Sequence, residues 1–376
     1  MRIALVHNLA FGGARRAMQE HQLRLAGEVT EFCLQSASPV TEFPRVFPYA
    51  SHAERLAPAI RPLPRHTDLL RLMWAWRALA RAVDRSDCDV VLAHPCQYLQ
   101  APAALRWTAA PSVYFCHEPR RVDYEPAAAS KVNSTTRRLY GPLHRLERRL
   151  DRAAVAASDR ILTNSRFTAG RIERAYGRSP EPVALGVGEV FRSPGPVLDP
   201  THLLSVGSLI PSKGHDLAIA AAARTERRRR LVVVAPSDAP EERRRLGAIA
   251  ERHAVELEIR VGVSDEELRE LYRGAAATVY LAREEPLGLV SLEAQACGSP
   301  VVVADDGGLP ETIIDGVTGW AVAREDTSAA ARAIDLLEDP GLREAVSARA
   351  REHGGAQTWE RSTERVRVAI EQAAGR

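Results

Sequence analysis

The sequence predicts an α/β protein built as two doubly wound halves, each a parallel sheet with helices on both faces. Short apolar runs alternate with amphipathic segments along nearly the whole chain, the pattern of parallel sheets. With 376 residues, the chain exceeds what one hydrophobic core usually supports, so two domains of ordinary size are expected. The run FRSPGPVLDP, residues 191 to 200, gathers prolines and a glycine near the middle of the chain and ends regular structure there.

In the first half, strands are expected at Ile3 to Val6, Val90 to Ala93, Ser112 to Cys116 and Ile161 to Thr163, each a short apolar run. Apolar recurrence at three and four residues predicts helices near 13 to 26, 67 to 84, 134 to 157 and 166 to 176. In the second half, strands recur at Leu203 to Val206, Leu231 to Ala235, Leu257 to Arg260, Thr278 to Leu281 and Pro300 to Val303, with helices between them. A final helix is expected from about 357 to 372, with Trp359 at its start. No short repeat period is present. The domains are placed at 1 to 195 and 196 to 355.

Composition excludes several classes. A net charge of +3 is too small to imply nucleic-acid binding. The run ERRRR ending at Arg230 lacks aromatic interleaving and reads as a solvated helix end. Five cysteines, Cys33, Cys88, Cys96, Cys116 and Cys297, are scattered without CxxC spacing, which argues against a disulfide framework and against a zinc site. Met1 to Val6 runs directly into a strand with no extended apolar leader, and no stretch of about 18 uncharged apolar residues follows, so a cytoplasmic protein is expected.

Residues 283 to 311, REEPLGLVSLEAQACGSPVVVADDGGLPE, are the most informative stretch. Leu289, Val290, Leu292 and Ala296 recur at helical spacing after Gly288, and Gly298 with Pro300 marks the stop. Glu285 therefore belongs to a loop and Glu293 to the helix that it feeds. Peptide N–H groups around Leu287, Gly288 and Leu289 lie in the first turn, unpartnered within the helix and at its positive dipole end, which makes a seat for a phosphate. Five residues at about 1.5 Å each put the Glu293 carboxylate roughly 8 Å further on, the remove of a ribose diol from a diphosphate. The plainer reading is a dipole-stabilising Glu285 and a solvated Glu293.

A Glu, seven residues and a second Glu, followed by EAxACGxPVV, resembles the donor-site signature of the retaining glycosyltransferases of family 4. The resemblance implies the GT-B fold: two Rossmann-like domains facing a cleft, with a C-terminal helix, residues 356 to 376, crossing back to the first. It also implies that Glu285 contacts the donor sugar and that Glu293 holds the nucleotide ribose. The chain departs from the family's usual pattern at Leu287, commonly aromatic, and at Pro286, often small.

Other segments resemble further parts of that site. Gly12 and Gly13, after the first strand, are similar to the family's amino-terminal glycine loop, although a simple turn also explains them. The segment LLSVGSLIPSKG carries Gly207, Ser208 and Lys213; it resembles VGRL...KG, where an Arg and a Lys clamp the phosphates, and here Ser208 occupies the Arg position. Lys213 can neutralise a diphosphate leaving group, with Arg283 a candidate second cation. His117, at the end of SVYFC, matches the family's strand-end histidine beside the sugar; a neutral imidazole can donate to a hydroxyl. Glu118 and Arg120 follow it in a charged loop. Asn164 and Ser165 resemble an NS pair near the cleft, while helix capping also accounts for Ser165. Backbone around Val263 resembles the part that borders the base, and Ala235 and Pro236 replace a glycine-rich turn.

The function expected is a retaining, metal-independent glycosyltransferase whose co-substrate is a nucleotide sugar, with no cofactor and no metal ligand set. Catalytic roles fall to His117, Lys213 and Glu285. Alternatives are a non-catalytic nucleotide-sugar-binding protein and a nucleotide-sugar epimerase. The acceptor, whether a small molecule, a glycan or a lipid-linked group, is open. The basic segment 137 to 154, with Leu143, Leu146 and Leu150 near one face, reads as a surface helix or as a weak peripheral membrane contact.

Overall fold

The computed structural model describes residues 1–10, 12–49, 65–124, 134–193, 195 and 199–375. The chain divides into two compact units, Met1–Ala184 with Glu360–Arg376, and Leu185–Trp359.

The first unit runs β1 (Arg2–Asn8), α1 (Gly13–Arg24), β2 (Glu28–Leu34), β3 (Arg45–Phe47), α2 (Arg65–Asp84), β4 (Val90–Cys96), β5 (Ser112–Phe115), α3 (Arg121–Tyr124), α4 (Ser134–Ala157), β6 (Arg160–Thr163), α5 (Arg166–Tyr176) and β7 (Glu181–Pro182). All seven strands are parallel, in the order β3-β2-β1-β4-β5-β6-β7. β4 is buried along its whole length, as a strand covered on both faces must be. Trp76 and Leu79 of α2 pack into the same core.

The second unit runs α6 (Glu189–Arg192), β8 (His202–Val206), α7 (His215–Ala222), β9 (Arg230–Ala235), α8 (Pro240–His253), β10 (Leu257–Val261), α9 (Asp265–Arg273), β11 (Ala275–Tyr280), α10 (Leu289–Ala296), β12 (Val301–Ala304), β13 (Gly319–Val322), α11 (Thr327–Leu336) and α12 (Pro340–Gly355). Its six parallel strands lie in the order β10-β9-β8-β11-β12-β13. The edge strand β10 carries Glu258 and Arg260, paired at 2.6 Å, charges that discourage edge-to-edge association.

Both sheets reverse strand order once, between β1 and β4 and between β8 and β11, the doubly wound arrangement expected from the sequence. β2, β3, β7 and β13 lay outside the sequence reading. β2 escaped because Glu31 interrupts its apolar run; the carboxylate is fully buried, bonded by His7, Val40 and Thr41. The division between units also precedes the proline run. Phe191 of α6 is buried in the second unit, edge-on to Tyr272 at 5.9 Å, and its carbonyl accepts from Cys297 Sγ. The final helix, Trp359–Ala373, joins the first unit from Glu360 onward. It is tied there by His21 Nε2 and Ser362 Oγ at 2.9 Å and by Arg24 donating to Glu360 at 2.7 Å.

Candidate functional site

Ligands of doubly wound sheets bind beyond the carboxyl ends of the strands, where the order reverses. In the second unit that point lies between β8 and β11. β8 delivers Gly207 and Ser208, and the turn after them delivers Lys213; β11 ends in Tyr280 and leads to Glu285. Lys213 Nζ donates to Glu285 Oε2 at 2.7 Å and to Tyr280 Oη at 3.1 Å, and lies 5.7 Å from the Tyr280 ring centroid. Lys213 and Glu285, 72 residues apart, thus meet across the switch point. His215 holds the β8 loop from beneath: its Nε2 donates to the Ser208 carbonyl at 3.2 Å, and its Nδ1 accepts from Ser205 Oγ at 2.9 Å. Burial lowers the His215 pKa, which suits a neutral ring with that tautomer.

The Glu285 loop is set by backbone constraints. Glu284 takes a left-handed φ of 49°, a strained conformation for a residue with a side chain. The Gly308 amide donates to the Glu285 carbonyl at 2.7 Å, and a Cβ on Gly308 would stand 2.4 Å from the Pro286 carbonyl oxygen, so only glycine lets the two loops approach. Gly288, with φ 108°, is the N-cap of α10 and offers no side-chain cap, which leaves the first-turn amides to whatever binds there. Glu293 is buried on α10, with Tyr272 Oη donating to its Oε2 at 3.5 Å. The solvated reading of Glu293 therefore does not hold. Tyr272, Tyr280 and His215 were missed from sequence; the signal available was only that Tyr280 closes an apolar strand.

Leu287 is buried, and Leu289 opens α10. Val263 is half-buried just past β10, beside Gly262, whose amide donates to the Ala235 carbonyl at 2.9 Å. The Arg283 guanidinium pairs with the exposed Glu325 at 3.0 Å.

In the first unit, Gly12 is the N-cap of α1 with φ 97°, and Gly13 begins the helix. His117 follows β5 and is 6% exposed. Its Nε2 lies 3.4 Å from His94 Nδ1, and its carbonyl accepts from Asn164 Nδ2 at 3.2 Å. Burial pushes the His117 pKa down to about 3 and holds His94 well below the usual histidine range, so both rings are neutral at pH 7. Ser165 caps α5, accepting from the Thr168 amide at 3.0 Å. Glu118 accepts from Arg121 at 2.6 Å, while Arg120 is buried and engaged by Glu147 and by Asp123. Arg120 is thus a structural cation under its loop.

Asp151 of α4 accepts from the Ala101 amide and Tyr176 Oη, and burial raises its pKa to about 6. On the same helix Leu143 is buried and Leu150 packs against the core, whereas Leu146 is exposed. The side chains of Arg137 and Arg138 lie outside the described residues. Among the described residues, no helix is long and apolar enough to cross a membrane. Among them too, His7, Glu31 and Cys33 converge within reach of one ion. Glu31 already accepts from His7, Val40 and Thr41, and His7 Nδ1 from the Leu9 amide, so this network closes on itself as a fold anchor.

Residues 12–185 match the family described as Glycosyltransferase Family 4, and residues 188–353 match Glycosyl transferases group 1. The chain is 34% identical over 300 residues to a D-inositol 3-phosphate glycosyltransferase of Actinosynnema mirum, covering 71% of this chain and 68% of the relative. It is 33% identical over 333 residues to the enzyme of that name from Kribbella flavida, covering 78% and 75%. Among solved structures it is similar to the Anabaena HepE protein in complex with UDP, with a TM-score of 0.74, 17% identity and coverage of 99% and 100%. It is also similar to sucrose-phosphate synthase from Thermosynechococcus elongatus, with a TM-score of 0.73, 20% identity and coverage of 99% and 98%.

Proposed function

The chain belongs to glycosyltransferase family 4, and from that premise we propose that it moves a sugar from a nucleoside-diphosphate sugar to an acceptor hydroxyl with retention and without a metal ion. One observation carries the reading. At the β8/β11 switch point, Lys213, Glu285 and the uncapped start of α10 converge, with Glu293 buried further along the same helix. A cation and free amides suit a diphosphate, and a buried carboxylate suits a diol.

In the proposed reaction the acceptor oxygen attacks C1 from the face the diphosphate leaves. The C1–O bond to phosphate breaks, the C1–O bond to acceptor forms, and the acceptor proton passes to a phosphate oxygen. Lys213 and the α10 amides take up the developing charge. Glu285 exchanges its bond to Lys213 for sugar hydroxyls. His117 orients the sugar through a neutral ring. UDP-glucose is the first donor to assay, since HepE was solved with it. D-inositol 3-phosphate is the first acceptor, since the relatives carry that name.

The test is incubation with UDP-glucose and a panel of acceptors, with and without EDTA, reading product anomers by NMR. An α-linked product formed equally in EDTA supports the proposal. A β-linked product, or activity abolished by EDTA and restored by Mn²⁺, overturns the retaining or the metal-free part. Ser208, where the family's phosphate clamp has an Arg, favours a second reading as a non-catalytic binder. Tight UDP-glucose binding without turnover across the panel would select that reading; sugar conversion without acceptor would indicate an epimerase.

A further inference from the structure

Resting on the glycosyltransferase reading of His117, we propose that His94 is a positioning residue that fixes the tautomer of His117, holding its Nδ1 as the N–H that meets the donor sugar. The two rings lie at the ends of adjacent strands: His94 within β4 and His117 just beyond β5. His94 is fully buried. Its Nδ1 stands 3.4 Å from His117 Nε2, with ring centroids 5.6 Å apart and planes inclined by 29°. That separation is long for a hydrogen bond, as is common for functional contacts before ligand binds.

Phe115 locks both rings. It stacks on His94 at 5.6 Å and 7°, and on His117 at 4.6 Å and 25°. The Asn164 amide holds the His117 backbone through its carbonyl. Neither imidazole is therefore free to flip without repacking the face of β5.

The direction of the bond follows from the other nitrogen of His94. Nε2 is buried with no hydrogen-bond partner. A buried N–H without a partner is the rarer orphan, whereas an unused acceptor is met more often. The arrangement that leaves Nε2 bare puts the His94 proton on Nδ1, where it is donated to His117 Nε2. A neutral imidazole carries one N–H, so His117 must carry its proton on Nδ1. His117 then offers a donor, suited to a sugar hydroxyl oxygen, rather than a bare nitrogen that would need a hydroxyl proton. An unsatisfied nitrogen in the middle of an otherwise apolar strand end calls for a reason; orienting His117 supplies one.

The experiment uses full-length, deuterated protein with ¹⁵N-labelled histidine and no ligand, reading tautomers from two-bond ¹H–¹⁵N correlations at pH 7.5. The expected result is the Nδ1–H pattern for His117. His94→Phe keeps the ring stack but removes the donor, and should shift His117 toward Nε2–H. His94→Asn places an amide N–H near the former Nδ1 and should restore the wild-type pattern. With UDP-glucose as donor, kcat should fall on the order of tenfold or more in His94→Phe, with KM little changed, and recover in part in His94→Asn. A wild-type His117 in the Nε2–H form, or a tautomer unmoved by His94→Phe, overturns the proposal; the wild-type spectrum decides even if His94→Phe does not fold. A correct tautomer in a protein that turns over no nucleotide sugar would instead fault the functional reading on which the proposal rests.

Discussion

Lys213 and Glu285 are each about one-fifth exposed, and each is the other's partner at 2.7 Å. On the proposed function, a pair so placed holds both groups near the geometry a donor needs, and both exchange partners when the donor arrives. Removing either therefore has separable effects. Lys213→Ala should lower kcat by about 10²-fold to 10³-fold, the cost of losing one stabiliser of developing charge, while changing affinity for intact UDP-glucose far less. Glu293→Ala should do the reverse, weakening UDP-glucose binding by about 1.5–3 kcal/mol through loss of charge-assisted bonds, with kcat little altered. Calorimetric titration with UDP-glucose in the absence of acceptor and steady-state kinetics separate the two; equal, small effects in both variants would contradict these roles. Periodicity put Glu285 on a loop, Glu293 on the helix it feeds and Lys213 at a helix start, and the resemblance to the family's donor-site signature is what singled them out. Their partners were not legible: Tyr280 meets Lys213 from 67 residues away, and Tyr272 meets Glu293 from 21. Such contacts depend on strand order, which no local pattern carries. Arg120 shows the converse, a charged loop residue that chain direction aims outward and that Glu147 draws inside.

At the scale of elements, the donor loop is shaped by its neighbour as much as by its own sequence. Gly308 lets the segment after β12 press against the Pro286 carbonyl. Gly308→Ala should displace the loop bearing Glu285 and weaken UDP-glucose binding by tenfold or more, while the far-UV spectrum persists, since the clash is between two loops outside the sheet. An unaltered dissociation constant would show that the loop position is set elsewhere. The helix–strand alternation was readable because most strands are apolar throughout and buried on both faces. β2 was not, because its buried Glu31 looks like a surface residue until His7 and Thr41 supply its bonds. β13, Gly319–Val322, opens on a glycine and is half-buried along the rest of its length at the sheet edge, so it lacks the buried valine run that marked β12. The boundary between units was misplaced for a related reason: prolines mark the end of regular structure, but Phe191 is held by apolar packing that proline content does not report.

For the molecule as a whole, buried histidines set the response to acid. Burial lowers His21 and His117 to about 3, and His94 well below its usual value. A pKa depressed in the folded state means stability that is fully present above about 6.5, the unfolded histidine value, and lost as pH falls toward 3. Each such proton steepens the loss by about 1.4 kcal/mol per pH unit. Asp151 acts in the opposite sense: raised to about 6 from 3.8, its contribution is present below 3.8 and fades as pH rises through 6. These three histidines, with His202, His215 and His353, whose pKa values burial also lowers, outnumber it, so Tm should fall continuously from pH 6.5 to pH 4. His21→Phe, which removes one of these groups, should flatten that slope; a Tm independent of pH over this range would mean that the histidines are hydrated in solution.

The central claim is that the start of α10, Lys213, Glu285 and Glu293 form one nucleotide-sugar site. Its most direct measurement is a crystal structure with UDP-glucose bound. The account predicts the diphosphate at the Gly288 and Leu289 amides and Lys213, the ribose on Glu293, and Glu285 parted from Lys213 and turned to the sugar. A ligand bound elsewhere on the chain, or bound with the Lys213–Glu285 pair intact and Glu293 untouched, would contradict it.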